Sequence, residues 1–447
     1  MNLALHDPQF ITADFPSALT MTLSYGHSAA LQLSPCGHYI ASGLVDGTIL
    51  IIDTWTNNVT QVLKKHGMAI TGLRWVYAEN DSDDDNNTLV ALVAWSRDWK
   101  VTLHGVRDNV LHCEWEHTFV GGVWAVDNVC RGSVSEDGVW IGWKLVVCRA
   151  VGGVCFVSAD GKMDDVRGIA DNEEGSGIER GQALCCWTFC DGKFVIVGTS
   201  KGWLQIVDVK RICVVKEDKI CGSNVKGVCI VEKNEYFGNV PVQRLIVNAS
   251  DRILRQYDIN HWYDDVEQID QWRFDIEHRY QNAVNRIQWN TVKFSPTGEY
   301  VCASTQGGSA ASHDVYIWET TMGSLVQILE GAPEELIDVD WGMRSTNGNL
   351  CCVVANGMDS GTIYMWGVRT TQKWSALAPD FEEIEQNIDY VEMEDEFDIN
   401  EENDLNPLGN GNDEDDEFKF EVDVVTKEET DARGFKFIKG CIIDTEL

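Results

Sequence analysis

An apolar strand, a turn, a second apolar strand, a tight turn and an alternating strand recur seven times along this sequence. The clearest copy runs from Gly26 and His27 through Leu33 and the turn at Pro35 to Gly37, and ends in Asp46-Gly-Thr-Ile-Leu-Ile-Ile-Asp53. The pattern returns with drift. Ile70 to Trp75 with Leu89 to Leu103 make the second unit, and Gly122 to Val157 a blurred third. Leu184 to Asp208, Val225 to Asp258, Val292 to Glu319 and Leu336 to Trp366 complete the set. Self-similarity at a spacing of roughly 40 to 50 residues restricts the fold to arrays or rings of small sheets.

That period is the one expected of WD40-type blades. A single four-stranded blade cannot bury both of its faces, whereas seven in a ring bury one another and leave only short edges. The fold class is therefore all-β: a seven-bladed WD40 β-propeller over residues 26–372. Asp46, Asp98 and Asp251 fall in tight turns, where a carboxylate can accept turn N–H groups; the expected role is structural. The alternating residues Leu19 to Tyr25, within an N-terminal segment 1–25, are expected to pair with the last blade and close the ring. Glu79 to Asn87 reads as a solvated acidic loop. His261 to Tyr280, rich in aromatic residues, reads as extra rim packing or as a partner surface.

The chain has 447 residues and 44% hydrophobic composition, enough for a large core, and its 17 Trp suit a β-rich protein. The formal charge of −36 is uneven. Residues 380–431 hold 23 Asp or Glu against two Lys, a net of −21. Such a balance opposes phosphate-driven DNA binding and favours basic partners; the pair Lys64 and Lys65 alone does not reverse it. Apolar side chains thread this acidic ribbon: Phe381, Ile384, Ile388, Tyr390, Val391, Met393, Phe397 and Ile399. A purely solvating tail has no use for them, so the ribbon is expected to fold onto partners.

The 15 Cys lack CxxC pairs, and the expected role is small apolar core residues in a reducing compartment. The ten His have no partners at ligand spacing and are expected in turns or at the surface. No signal peptide and no stretch of the ~18 apolar residues needed to span a bilayer is seen, so an intracellular, soluble protein without membrane contact is expected. HExxH and P-loop patterns are absent, and Gly307-Gly308 lacks the following helix start of a phosphate loop. The expectation is a non-enzyme with no cofactor.

Several runs carry a resemblance. They are Ile220-Cys-Gly-Ser-Asn-Val-Lys-Gly-Val, Asn248-Ala-Ser-Asp-Arg-Ile-Leu-Arg-Gln-Tyr-Asp, Val284-Asn-Arg-Ile-Gln-Trp, Tyr316-Ile-Trp-Glu, Leu325-Val-Gln-Ile-Leu-Glu-Gly and above all Trp374-Ser-Ala-Leu-Ala-Pro-Asp-Phe. The chain resembles the retinoblastoma-binding protein 5 family from Pro35 to Thr426. The resemblance implies a nuclear WD-repeat scaffold and activating subunit of a COMPASS-type complex that methylates lysine 4 of histone H3, acting in chromatin and transcription regulation. It implies that residues 373–402 carry an activation segment and a SPRY-docking segment. Asp380, Phe381, Glu383 and Ile384 would contact the SET-domain methyltransferase subunit. Glu396, Phe397, Asp398 and Ile399 would contact the SPRY-domain subunit. Within 403–447, an acidic linker, Glu421, Val422, Asp423 and Val424 would bind a second WD-repeat subunit. The nucleosome would be met through the complex. Asp395 stands where animal members tend to have a phosphorylatable Ser, so a fixed charge replaces a switchable one. Gly434 to Leu447, with Phe435, Phe437 and Ile438, matches no family pattern and reads as a strand or anchor.

Two other readings stay open on the residues alone. The first is a propeller that reads histone tails through an aromatic cage, if Trp99, Trp124 and Trp203 converge beside a carboxylate. The second is an acidic histone chaperone whose ribbon screens basic histones.

Overall fold

Each repeat forms a four-stranded antiparallel sheet, and the seven innermost strands are Ser28–Leu33, Ile70–Ala78, Val123–Cys130, Ala183–Phe189, Val225–Val231, Gln288–Phe294 and Leu336–Arg344. A computed structural model of the chain describes residues 15–34, 37–78, 88–107, 110–130, 133–134, 140–168, 180–231, 243–264, 269–281, 287–307, 313–344 and 350–368. The chain divides into a unit Met1–Gln372 and a second unit Lys373–Leu447, whose residues lie outside this description. Every innermost strand lies against those of the blades before and after it, and Leu336–Arg344 meets Ser28–Leu33, so the ring is complete.

The burial pattern follows from blade stacking. Second strands such as Phe194–Thr199 and Arg244–Ala249 are buried along their whole length, because both faces meet a neighbouring blade. Outermost strands such as Val59–Lys64 alternate, with one face to solvent. The apolar residues accordingly form seven clusters, one at each blade interface. Each fully buried Val, Ile or Leu in them contributes ~1.5–3 kcal/mol relative to exposure.

The seventh blade takes its outermost strand from the other end of the chain. Ala18–Leu23 pairs antiparallel with Ile363–Gly367, from Ala18 opposite Gly367 to Leu23 opposite Ile363, with a bulge between Leu19 and Met21. The expected closure by the N-terminal segment is what the structure shows. The turn aspartates also behave as expected. Asp46 Oδ1 accepts the Thr48 N–H at 2.8 Å, Asp98 Oδ1 that of Lys100 at 3.0 Å, and Asp251 Oδ1 that of Ile253 at 3.2 Å.

Between the third and fourth strands of blade five sit a short helix, Asn260–Asp264, and a 3-10 turn, Ile269–Gln271. They carry Trp262 and Trp272, whose rings stack at 5.3 Å and pack against Phe189 and Phe194 of blade four. Both indoles are buried, so of the two readings of this aromatic link, packing describes these two residues.

Two expectations need correction. His66 and His104 are buried rather than in surface positions. His66 lies within 3.2 Å of Asp98 Oδ2; its Nε2 meets Thr102 Oγ1 at 2.9 Å, and Thr102 Oγ1 meets His104 Nε2 at 3.0 Å. The imidazoles are admitted to the core because a chain of hydrogen bonds receives them. The described cysteines are free thiols; eight of them are buried, but Cys130 is exposed at the end of its strand.

Candidate functional site

The sequence-predicted contact residues, Asp380 through Ile384, Glu396 through Ile399 and Glu421 through Val424, lie outside the described residues. Within the propeller two arrangements of polar and aromatic groups stand out, neither of which the repeat pattern announced.

The first is a belt of side chains borne by the innermost strands. Arg74 of blade two donates from Nε to Asp127 Oδ1 of blade three at 2.7 Å, and its guanidinium carbon lies 4.1 Å above the ring of Trp187 in blade four. Asp127 Oδ2 accepts the Thr188 N–H at 2.7 Å. On the other side, Lys293 of blade six lies 5.8 Å from the same indole and 3.8 Å from Asp340 Oδ1 of blade seven. Asp340 Oδ2 accepts the Leu33 N–H of blade one at 2.8 Å, and Gln32 Oε1 accepts the Trp75 N–H of blade two at 2.9 Å. Hydrogen bonds, ion pairs and cation–π contacts therefore link blade seven through blade one to blade four, and blade four through blade six back to blade seven.

The electrostatics agree with the geometry. Burial opposes the charged forms of Arg74 and Lys293. Asp127 and Asp340 more than offset it, and both cations are held above their ordinary pKa. Burial pushes the Asp338 carboxyl up, with Lys293 acting against the shift. The cation positions over Trp187 are filled by the protein's own Arg74 and Lys293, so this indole is not a vacant wall for a foreign cation.

The second arrangement braces the loop before blade seven. Glu334 accepts the N–H groups of Asp359 and Ser360 at 2.6 and 2.7 Å and the Tyr364 hydroxyl at 2.9 Å. Burial opposes its ionisation, but the bonds from Ser360, Tyr364 and Asp359 prevail and hold its carboxyl below the ordinary value. A Cβ on Gly357 would collide with this carboxylate, so only glycine leaves it room.

Trp99 and Trp124 are exposed and Trp203 is half-buried; no ring contact joins the three among the described residues. Among the described residues no group of three or more His, Cys, Asp or Glu is placed to hold a metal ion, and no helix is long and apolar enough to cross a membrane.

A signal for the belt did exist in the sequence. Gln32, Arg74, Lys293 and Asp340 each stand directly before a large apolar residue of an innermost strand: Leu33, Trp75, Phe294 and Trp341. A polar residue repeated at one register of otherwise apolar strands marks a shared, inward-facing layer.

A scan against models of known protein families matched none. Whole-chain comparison was more informative. The COMPASS component SWD1 of Saccharomyces cerevisiae is 35% identical over 97% of this chain and 95% of its own length. The Set1 complex component swd1 of Schizosaccharomyces pombe is 34% identical over 90% of the chain and 91% of its own. The retinoblastoma-binding protein homolog 5 of Caenorhabditis elegans is 27% identical over 87% and 76%. Among solved structures, the Cps50 (Swd1) β-propeller domain of Myceliophteria thermophila superposes with a TM-score of 0.63 at 26% identity, covering 78% of this chain and 99% of that one. With about a third of its residues shared along nearly the full length of two yeast Swd1 proteins, and the same ring of blades beneath them, the chain belongs to the Swd1 and retinoblastoma-binding protein 5 family.

Proposed function

We propose that this chain is a non-catalytic subunit of a nuclear Set1/COMPASS-type complex that methylates lysine 4 of histone H3. In this reading the propeller is a rigid platform and the acidic ribbon after it is the working part. One observation carries the proposal. The propeller-bearing unit stops at Gln372, yet the match to the yeast COMPASS component covers 97% of the 447 residues, so the likeness continues into the ribbon. A chain that conserved only its fold would have no reason to keep that segment.

The physical mechanism is coupled folding and binding. Phe381, Ile384 and Phe397 would each contribute ~1.5–3 kcal/mol on full burial. Asp380 and Glu383 would meet cations on a SET-domain subunit; Glu396, Asp398 and Ile399 would complete the contact with a SPRY-domain subunit. Val422 and Val424 would enter pockets of a second WD-repeat subunit, with Glu421 and Asp423 on a basic rim. Ordering the ribbon opposes each contact, so each is weak alone, while one tether raises the partners' effective concentration for each other. Catalysis is accelerated by stabilising the active arrangement of the methyltransferase.

The test is methyl transfer to histone H3 by a complex reconstituted with the Phe381→Ala, Ile384→Ala double variant. Loss of two anchors is expected to lower the rate at least ~10-fold. An unchanged rate at saturating subunit concentrations would remove the activating role.

A further inference from the structure

The propeller carries an apolar band on one end over blades one to three, and Tyr25 and Met358 are exposed in the adjoining loops of blade seven. It is built from loops that join blades, from the turns between second and third strands, and from Trp124 at the start of the innermost strand of blade three. Val45, Met68, Trp99, Val120, Trp124 and Val151 are all exposed there; Val120 is 80% exposed, Val151 61% and Trp124 51%. The loops touch in sequence around the ring. Gly47 abuts the carbonyls of His66 and Met68, a Cβ on Gly122 would lie 3.2 Å from Trp99 Cδ1, and one on Gly121 would lie 2.6 Å from Val151 Cγ2. The six side chains thus belong to one continuous strip. No large apolar side chain is exposed in the corresponding loops of blades four to six among the described residues. A clustered, one-sided patch of this kind marks an interaction surface rather than scattered surface hydrophobes.

Trp99 adds an independent argument. Its φ is +67°, a left-handed conformation that a bulky side chain adopts at a cost. The equivalent turn position is Gly47 in blade one, Gly202 in blade four and Gly361 in blade seven, and Arg252 at φ +72° in blade five. An exposed indole therefore stands where three other blades use glycine, the residue that this backbone favours.

The charges beside the strip select its occupant. Asp98 is engaged within its own loops, accepting the N–H groups of Gly67 and Lys100 and meeting His66, while Asp46 is exposed and accepts the Thr48 N–H. The cations face outward. Lys64, Lys65 and Arg97 are exposed and make no ion pair among the described residues. In a chain of net charge −36 this is a local reversal of sign.

We propose that this strip is a docking surface for an extended segment of a partner protein that combines bulky apolar side chains with carboxylates. The two indoles and the valines receive the apolar groups, and Lys64, Lys65 and Arg97 receive the acids. A basic peptide is disfavoured by the same three cations, against which these turns set one exposed carboxylate, Asp46.

The test uses the full chain and fluorescein-labelled peptides at physiological salt. One peptide repeats Glu-Glu-Phe-Leu, one repeats Lys-Lys-Phe-Leu and one repeats Glu-Glu-Ser-Ser. The first is expected to bind, and the other two at least ~10-fold more weakly. Trp99→Gly restores the residue used by blades one, four and seven, so its fold should survive, as near-ultraviolet circular dichroism would check. Combined with Trp124→Ala it should abolish binding, and Lys65→Glu with Arg97→Glu should weaken it at least ~10-fold. No binding of the acidic apolar peptide, equal binding of the lysine peptide, or undiminished binding by the folded Trp99→Gly, Trp124→Ala variant would each overturn the proposal.

Discussion

His104 is enclosed in the third strand of blade two, where its Nε2 meets only the Thr102 hydroxyl and its Nδ1 has no hydrogen-bond partner. Burial holds its pKa down at about 4, against an ordinary 6.5. Between those values the unfolded chain binds a proton that the folded chain refuses. Stability should therefore be full above the ordinary value and fall as pH drops through the window, by up to about 3 kcal/mol. His66 shifts in the same direction, burial outweighing Asp98. Urea titrations across the window should show this slope, and His104→Leu should flatten it. Gly357→Ala should also be costly, by about 2–4 kcal/mol in the same measurement, because the new methyl evicts Glu334 from the N–H groups of Asp359 and Ser360 and the hydroxyls of Ser360 and Tyr364. The sequence did not disclose either residue's setting. A histidine in an apolar strand and a glycine before a turn look ordinary until their surroundings are known; His104 is enclosed by the packed blade, and the carboxylate facing Gly357 comes from Glu334 in the preceding loop.

The closing strand Ala18–Leu23 shows what local pattern can specify. Alternation of apolar and polar residues from Leu19 to Tyr25 marked a strand with one buried face, and the repeat count left one blade lacking an edge. Leu23 is the buried anchor of this strand and packs with Leu31, Leu44, Val354 and Ile363. Leu23→Ala should reduce stability by about 2–4 kcal/mol in denaturant titration. A larger secondary effect should appear on gel filtration. A frayed closing strand uncovers the backbone edge of Ile363–Gly367, and such edges pair with other chains. The insertion of blade five was less legible. Its aromatic content was plain, but Trp262 and Trp272 pack on Phe189 and Phe194 some seventy residues earlier, and no periodicity reports contacts across that separation. Trp99 was legible only as a candidate for an aromatic cage; its left-handed backbone shows in the structure, with Gly47, Gly202 and Arg252 at the same place in other blades.

For the molecule as a whole, the belt of charged groups ties the blades together where apolar clusters end. Arg74 and Asp127 form its shortest ion pair, with Asp127 almost fully enclosed. Arg74→Met should destabilise the ring by about 2–4 kcal/mol, because Asp127 keeps its charge without its cation. Adding Asp127→Asn should recover part of that loss, and the non-additivity, read from a double-mutant cycle, measures the pair itself. Simple additivity would show that the two groups do not act together. The number and order of blades were readable from the repeat alone, since each unit is a local hairpin pattern. The belt left only a trace, polar residues standing before a large apolar one in four innermost strands, and its pairing was not readable because the partners lie on other blades. The ribbon's contact residues are expected only through likeness to relatives, and they lie outside the described residues.

One consequence of the shared seventh blade concerns synthesis. The strand that locks the ring leaves the ribosome first, whereas Ile363–Gly367, to which it bonds, leaves only after six blades have emerged. Through most of translation the nascent chain is thus an open arc with two unsealed ends. Premature termination anywhere before Gly367 yields a product that no rearrangement of its own residues can complete, which makes it a ready substrate for chaperones and proteases.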